Sequence, residues 1–421
     1  MKEKVFKDPV HGFVYVYEPL ILELIDSKEM QRLRRVKQLG LSYLTYHGGE
    51  HSRFAHSLGT YEVTRRILEG LDKKGQLFLS KKEQLLALTS ALLHDLGHSP
   101  FSHSLEGVFS LRHEAWTNKI ILGDTQVNKV LSKVGSNFPK EVTEVIKGIH
   151  SNKLIIDLIS SQIDADRTDY LLRDSKAIGV SYGNFDLERI IRVMVPTKDG
   201  IFFRKEGMHS IEAYILARYS MYWQVYFHPT SRSGEIILRN LFKRAKALYK
   251  SGEDICLPNE FTNLFEDKLL VKDYLNLDDS VLFFLFQKWT SSSDIILSDL
   301  SSRILNRSLF KRIEVDSNDD DLYSQLSSLL VEAGINPEYY LELDCPSDIS
   351  YDYYQPNSNH KKNPIYLVDK RGEKVELSQI SDPVRAVAGK RVRYNIYYPR
   401  DLIEKVEGLA ERFKNLLDSY K

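Results

Sequence analysis

Residues Ser80 to Asp95 constrain this chain most. Ser80-Lys-Lys-Glu83 is a capping box, the signature of a helix start. Leu85, Leu86, Leu88, Leu92 and Leu93 follow, so the helix turns apolar side chains into a core. It then delivers His94 and Asp95 on its last turn, with Gly97 predicted to end it. A histidine and an aspartate inside a core cost free energy unless they are paired or bind something. Their partners have to come from elsewhere in the chain.

The rest of the sequence predicts a mainly α fold. From about residue 18 to 250, apolar residues recur mostly at helical spacing. Before that, KVFKDPVHGFVYVY (4–17) alternates as two short strands around a Pro9–Gly12 turn. A second helical stretch is predicted from 256 to 335, with polar seams SSSD (291–294) and DSNDDD (316–321). Residues 348–363 are predicted to be an exposed loop. PIYLVDKRGEKVEL alternates as a hairpin turning near Lys370–Gly372, and RVRYNIYYP (391–399) as a further strand. An amphipathic helix is expected over 400–420. The expected organisation is an N-terminal hairpin (1–20), a helical core (21–250), a helical extension (251–335) and a smaller α+β region (336–421).

Composition narrows the function classes. Lys+Arg and Asp+Glu both number 58 in the 421 residues, a formal net charge of zero. Whole-chain electrostatics therefore give no case for nucleic-acid binding and leave only a local patch. Cys256 and Cys345 are far apart and lack metal-type spacing. With no apolar signal core and no apolar run of about 18 residues, the expectation is a cytoplasmic protein without a membrane partner.

Candidate partners for His94 and Asp95 occur in two other segments. RFAHSLG (53–59) supplies His56 at another predicted helix start, and SQIDADRTDYLLRD (161–174) supplies Asp164, Asp166 and Asp169. Two neutral imidazoles and two carboxylates leave a divalent metal about charge-neutral and open to water. Mixed nitrogen and oxygen ligation suits zinc, iron, manganese or nickel better than calcium. The plain alternative is a set of satisfied core polar residues. Asp169 and Arg173, four apart, are read that way, as a local pair.

Longer strings sharpen the reading. QRLRRVKQLG, HSRFAHSLG, LLHDLGHSPFSH and DADRTDYLLRD occur in that order. Together they resemble the HD superfamily of metal-dependent phosphohydrolases, and within it the deoxynucleoside triphosphate triphosphohydrolase (dNTPase) branch. The resemblance covers residues 4–240 strongly, and NPIYLV and RVRYNIYY more faintly. The GYP signature of HD-type cyclic-dinucleotide phosphodiesterases is not found, and His98 stands where many other HD enzymes carry Lys. The resemblance implies that His56, His94, Asp95 and Asp166 hold one iron, manganese, nickel or zinc ion, with Mg on the nucleotide phosphates. It implies hydrolysis of a dNTP to deoxynucleoside and inorganic triphosphate, by attack at the α-phosphorus with the sugar 5′ oxygen leaving.

The residue pattern is compatible with that substrate, which brings about four negative charges. Arg53, three residues before His56, shares its helix face. Asp166, Tyr170 and Asp174 fall at i, i+4 and i+8, one stripe of a helix. By resemblance, Arg167 and Arg218 meet phosphate, and Tyr170, Asp174 and Tyr226 meet the sugar. Gln38 and Leu39 then lie against its 3′-OH and the base. Tyr170 packed under the ribose would leave no room for a 2′-OH. The leaving alkoxide needs a proton, which a histidine is suited to give. His98, His103 and His113 are candidates. The resemblance assigns His103, oriented by Glu106, with His98 and His113 on the phosphates. Family members often carry Asp where Glu106 stands. His113 and Glu114 equally fit a surface pair, and LARYSMYWQVYFHP (216–229) a core helix. Tyr222 and Phe227 depart from the His and Gln of the animal relatives, so no particular dNTP is expected.

Several members of that branch are homotetramers, dimers of dimers, switched on by a bound nucleotide. The matching residues are Lys4, Val5, Asp26, Gln31 and Arg34. A carboxylate can accept from guanine N–H groups and an arginine can donate to O6 and N7. A GTP, dGTP or other dNTP activator is expected there, with Arg189, Arg204, Lys205, Lys390 and Arg391 completing the site across subunits. The alternative for these residues is a surface charge cluster. Two other readings stay open: an HD phosphohydrolase acting on another nucleotide, and a nucleotide- or single-stranded nucleic-acid-binding protein with little turnover.

Overall fold

The capping box forms as its spacing predicts. Ser80 Oγ accepts from the Glu83 N–H at 3.3 Å, and Glu83 Oε2 accepts from the Ser80 N–H at 2.8 Å. Such a cap contributes about 1 kcal/mol. The helix it starts spans Lys81–Leu93, with His94 at its C-cap. The computed structural model describes residues 3–101, 105, 108–109, 112–316, 320–349 and 364–420; the side chains of 348, 349 and 390 are not described.

Six helices build the site: α1 (Arg53–Lys73), α2 (Lys81–Leu93), α3 (His113–Leu122), α4 (Ala165–Ile178), α5 (Met208–Met221) and α6 (Pro229–Lys250). α1 packs on both α2 and α4. Two glycines permit the close approaches. A Cβ on Gly59 of α1 would lie 1.9 Å from Asp169 Oδ1 on α4. A Cβ on Gly97 would lie 2.1 Å from the Thr117 nitrogen, so the turn after α2 seats directly on α3.

The fold is mostly helical with small sheets, as expected. β1 (Lys4–Asp8) and β2 (Gly12–Val16) pair antiparallel, Lys4 opposite Val16. Val14 and Val16 point into the core, whereas Phe13 and Tyr17 are exposed, the alternation of a half-buried strand. Further strands are β3 (Met194–Thr197), β4 (Gly200–Arg204), β5 (Lys311–Val315), β6 (Glu342–Asp344), β7 (Ser347–Ile349), β8 (Tyr366–Val368), β9 (Lys374–Glu376), β10 (Lys390–Val392) and β11 (Tyr394–Tyr398). They form a four-stranded sheet β3-β4-β8-β9, a three-stranded sheet β5-β11-β6 and the pair β10-β7. Buried apolar side chains from Val14 to Leu417 belong to one continuous cluster.

The structure differs from the expectation in four places. β3 and β4 interrupt the stretch read as helical. β5 lies inside the predicted helical extension, because five residues are too few for periodicity to decide and its pairing with β11 does. The C-terminal helix is two, Arg400–Ile403 and Leu409–Ser419. The predicted loop begins with strand β7, and its residues 350–363 lie outside the described residues. No helix among the described residues is long and apolar enough to cross a membrane.

Candidate active site

His94, at the end of α2, donates its Nδ1–H to the Ala91 carbonyl at 2.9 Å. A carbonyl only accepts, so Nε2 of this ring holds the lone pair. His56, on the first turn of α1, donates its Nδ1–H to Asp169 Oδ2 at 2.8 Å and likewise turns Nε2 inward. The two Nε2 atoms are 3.3 Å apart. Asp166 Oδ1 lies 3.1 Å from His56 Nε2 and 3.4 Å from His94 Nε2. Asp95 brings Oδ1 to 3.2 Å from His94 Nε2 and Oδ2 to 3.7 Å from His56 Nε2. Four acceptors aimed at one point repel unless protons or a cation lie between them.

The separations fit a single ion. Ligand atoms about 2.1 Å from a metal, at angles of about 90–125°, lie roughly 3.0–3.7 Å from one another. His56, His94 and Asp95 form a group able to hold a metal, and Asp166 supplies a fourth donor. Two imidazole nitrogens and two carboxylate oxygens are donors suited to a divalent transition metal, so the donor chemistry and the geometry agree. Without an ion, protons serve. Burial opposes an imidazolium here, but its hydrogen bonds to Asp166 and Asp169 outweigh it and push His56 up to about 10. His94 is raised as well, against its burial, by Asp95 and Asp166. Burial also disfavours the charged carboxylates, yet His94 and its neighbours hold Asp95 and Asp166 below the usual range.

A cavity of about 460 Å³ opens beside the cluster. Arg53, His98 and His113 line it near Asp95 and Asp166. Arg53 Nη1 donates to Asp95 Oδ2 at 2.5 Å, clamping a ligand carboxylate from the side. The His98 and His113 rings stack with centroids 3.9 Å apart. His98 Nε2 sits 3.2 Å from Asp95 Oδ1. Burial and the charge of Arg53 hold His98 well below the usual histidine range, so it is neutral at pH 7. His113 also stands 3.4 Å from the exposed Glu114 carboxylate, so it takes part in both a surface pair and the cavity wall.

The cavity is also lined by Gln38, Leu39, Tyr170, Asp174, Tyr222, Tyr226 and Phe227. Asp166, Tyr170 and Asp174 all face it from α4, the stripe that their spacing predicts. Tyr226 donates its hydroxyl to Asp174 Oδ2 at 2.8 Å, and His51 Nε2 meets Asp174 Oδ1 at 2.7 Å. The Tyr170 and Tyr222 hydroxyls are 3.4 Å apart.

Other predicted residues sit elsewhere. Arg167 pairs with Asp164, the N-cap of α4, and Arg218 Nη1 donates to Gln162 Oε1 at 3.0 Å; neither side chain lines the cavity. His103 and Glu106 lie outside the described residues. Of the predicted second nucleotide site, Arg34 Nε donates to Gln31 Oε1 at 2.8 Å, and Gln31 Nε2 donates to the Ile25 carbonyl at 2.8 Å, beside Asp26. Lys4 and Val5 stand exposed on β1, a separate element. Arg189 lines a second cavity of about 570 Å³, where Arg66, Lys73, Lys74 and Arg192 face Glu69, Asp186 and Glu188.

The sequence reading gave Asp169 only the role of a local partner for Arg173. Asp169 does pair with Arg173, at 2.8 and 3.0 Å, but its other role is to orient His56. The signal was its place three residues after Asp166, on the same helix face. His51, Arg232 and Glu235 were missed. His51 acts from behind Asp174, and the other two line the cavity from α6 without a motif.

Known proteins share this architecture. The family described as HD domain matches residues 53–174, and the one described as HD associated region matches residues 185–420. YwfO, an uncharacterized Bacillus subtilis protein, is 52% identical over 405 residues, which are 96% of this chain and 93% of its own. A crystal structure of a phosphohydrolase from Bacteroides thetaiotaomicron superposes with a TM-score of 0.79 at 28% identity, covering 94% of this chain and 100% of that one. The Dictyostelium discoideum homolog of the deoxynucleoside triphosphate triphosphohydrolase SAMHD1 is 30% identical over 284 residues, 63% of this chain and 54% of that protein. With a buried His, His-Asp and Asp converging from α1, α2 and α4, and with these matches, the chain belongs to the HD-domain phosphohydrolase superfamily, its HD domain followed by the HD associated region.

Proposed function

We propose that this protein hydrolyses deoxynucleoside triphosphates to deoxynucleoside and inorganic triphosphate, under control of a nucleotide bound at a second site. The observation that carries this reading is one cavity with two chemically distinct ends. A four-donor cluster beside Arg53 occupies one end, and a tyrosine-walled compartment ending in Asp174 the other. That matches a triphosphate joined to a sugar. The SAMHD1 relatives add support at modest identity.

Iron, manganese, nickel or zinc, held by His56, His94, Asp95 and Asp166, supplies a Lewis acid and a more acidic water when bound, with Mg accompanying the phosphates. Arg53 faces the same end and neutralises phosphate charge. His98 and His113, stacked on each other in the same cavity wall, are assigned to the phosphates. Arg167 and Arg218 are assigned as the further phosphate cations, which requires them to turn from Asp164 and Gln162 into the cavity when substrate binds. Protonation of the leaving 5′ oxygen is assigned to His103, oriented by Glu106. Tyr170 and Tyr226 rings, 6.1 Å apart and steeply inclined, wall the sugar, and Asp174 with Gln38 takes the 3′-OH. Leu39, Tyr222 and Phe227 bound the base.

The activator, GTP, dGTP or another dNTP, is assigned to Lys4, Val5, Asp26, Gln31 and Arg34, with assembly into a homotetramer. Binding that favours the assembled state couples nucleotide to activity.

One experiment tests the whole. All four dNTPs are assayed in defined metal, with and without GTP or dGTP, with products resolved and particle mass measured. Triphosphate as product is expected, with Arg34→Ala losing stimulation but keeping basal turnover. Phosphate or pyrophosphate would favour an HD phosphohydrolase acting on another nucleotide. Salt-sensitive oligonucleotide binding without turnover would favour a binding protein.

A further inference from the structure

The turn of the N-terminal hairpin ends inside the protein, behind the metal cluster. The His11 side chain is only 1% exposed. Its Nε2 lies 2.6 Å from Asp169 Oδ1, and Arg66 Nη1 lies 3.4 Å from its Nδ1. A guanidinium only donates, so Nδ1 holds the lone pair and Nε2 the proton. His11 therefore donates to Asp169. Asp169 uses its other oxygen for the His56 Nδ1–H, and both oxygens for Arg173. Arg173 Nη1 continues to Asp8 Oδ2 at 2.9 Å. Asp8 Oδ1 accepts from the Val10 and His11 N–H groups at 2.8 and 2.9 Å, which locks the turn. A chain of hydrogen bonds thus runs from the hairpin through one carboxylate to a metal-ligand ring.

We propose that His11 is a positioning residue for the metal centre: by anchoring Asp169 Oδ1 it fixes the ring orientation and tautomer of His56. The inference rests on the metal-centre part of the function proposed above. Without His11, the partner left to Oδ1 among the described residues is Arg173 Nη2, and the carboxylate is freer to turn away from His56. Outer partners of a ligating histidine typically set about 10–100-fold in metal affinity.

The test is the Mn²⁺ affinity of the metal-stripped full chain, read by electron paramagnetic resonance, for wild type, His11→Asn and His11→Gln. Gln brings an amide N–H near the position of the imidazole Nε2, whereas Asn falls short of it. His11→Asn is expected to bind roughly 10–100-fold more weakly, with His11→Gln restoring most of the loss. An Asn variant as tight as wild type, or a Gln variant as weak as Asn, overturns the proposal. Should the variants not fold, wild type still decides. NMR of the histidine-labelled protein should show the His11 Nε2 signal move on Zn²⁺ loading, although His11 is not a ligand, and a stationary signal overturns the proposal. A wild type that takes up no metal overturns the metal centre itself, a result distinct from a loaded centre indifferent to His11.

Discussion

Raising the pH is expected to tighten metal binding steeply, because the ion and protons compete for the same lone pairs. In the metal-free cluster, burial disfavours the charged ring, but Asp166 and Asp169 prevail and push His56 up to about 10. Its Nε2 therefore carries a proton at pH 7, and a metal needs that lone pair. Removing the proton at pH 7 spans about three pH units, or about 4 kcal/mol at 1.36 kcal/mol per unit. The cost falls by one unit for each unit of pH. Apparent affinity should then rise about tenfold per pH unit between roughly pH 7 and 9 through His56 alone, and His94, also raised, makes the dependence steeper. Stability of the metal-free form runs the other way. A raised histidine contributes fully below its unfolded value near 6.5 and loses that contribution as pH climbs through about 10. Calorimetric titration with Mn²⁺ or Zn²⁺, in buffers of different ionisation enthalpy, counts the protons released. At least one per ion is expected. Tight binding with no proton release and no pH dependence would place the ion away from these imidazoles and refute the reasoning.

Three further outcomes follow from the same geometry. Asp166→Ala should abolish both metal content and dNTP turnover while leaving a cooperative melt, since it removes a single oxygen that lies 3.1 Å from the His56 Nε2 and 3.4 Å from the His94 Nε2; retained metal would contradict the ligand assignment. Gly59→Ala puts a methyl 1.9 Å from Asp169 Oδ1 and 2.3 Å from Arg173 Nη2, so thermal unfolding should show a loss of about 1–3 kcal/mol together with weaker metal binding, and neither change would show that Asp169 is not held where it lies. Asp279 is raised to about 6 by burial, against hydrogen bonds from the Lys37 and Phe101 N–H groups. A raised carboxylate loses stabilising effect as pH rises, so the stability difference between wild type and Asp279→Ala should shrink by about 1 kcal/mol from pH 5 to 7 in urea melts, whereas a difference that grows would be contrary.

The metal cluster was legible because its constraints are local. A capped apolar helix that ends in His94-Asp95, and an aspartate, tyrosine and aspartate four apart on α4, keep their meaning in any surroundings that leave them helical. The hairpin was legible for the same reason, from alternation and a Pro-Gly turn. What escaped was set by contacts across long stretches of chain. β5 is a strand only because β11 lies beside it. Asp169 reads as half of an i,i+4 pair with Arg173 until His11 and His56 arrive from elsewhere. His51 has no motif value until Asp174 meets its ring from a helix more than a hundred residues on.

The HD associated region is tied to the cavity by such long-range bonds. Residues 274–279 grip both the segment before the HD match, at Arg32 and Lys37, and the turn after α2, at Gly97 and Phe101. Tyr274 donates its hydroxyl to the Gly97 carbonyl at 2.5 Å while stacking on Trp116 of α3. Arg32 Nε donates to the Leu277 carbonyl at 2.9 Å. Asp279 accepts from the Lys37 N–H at 2.9 Å and the Phe101 N–H at 3.1 Å. Lys37 immediately precedes Gln38 and Leu39, and Gly97 and Phe101 bracket His98; Gln38, Leu39, His98 and Phe101 all line the cavity. These backbone groups belong to loops, and a buried N–H without an acceptor is costly. Phe101 also sits at φ 49, a conformation a bulky side chain holds only when its surroundings fix it. One carboxylate from beyond the HD match thus ties together two neighbouring loops that line the cavity. The helices of residues 53–174 can bring the four metal donors together, but the walls that shape a substrate around them need the later region. That is a physical reason for the two regions to occur as one unit.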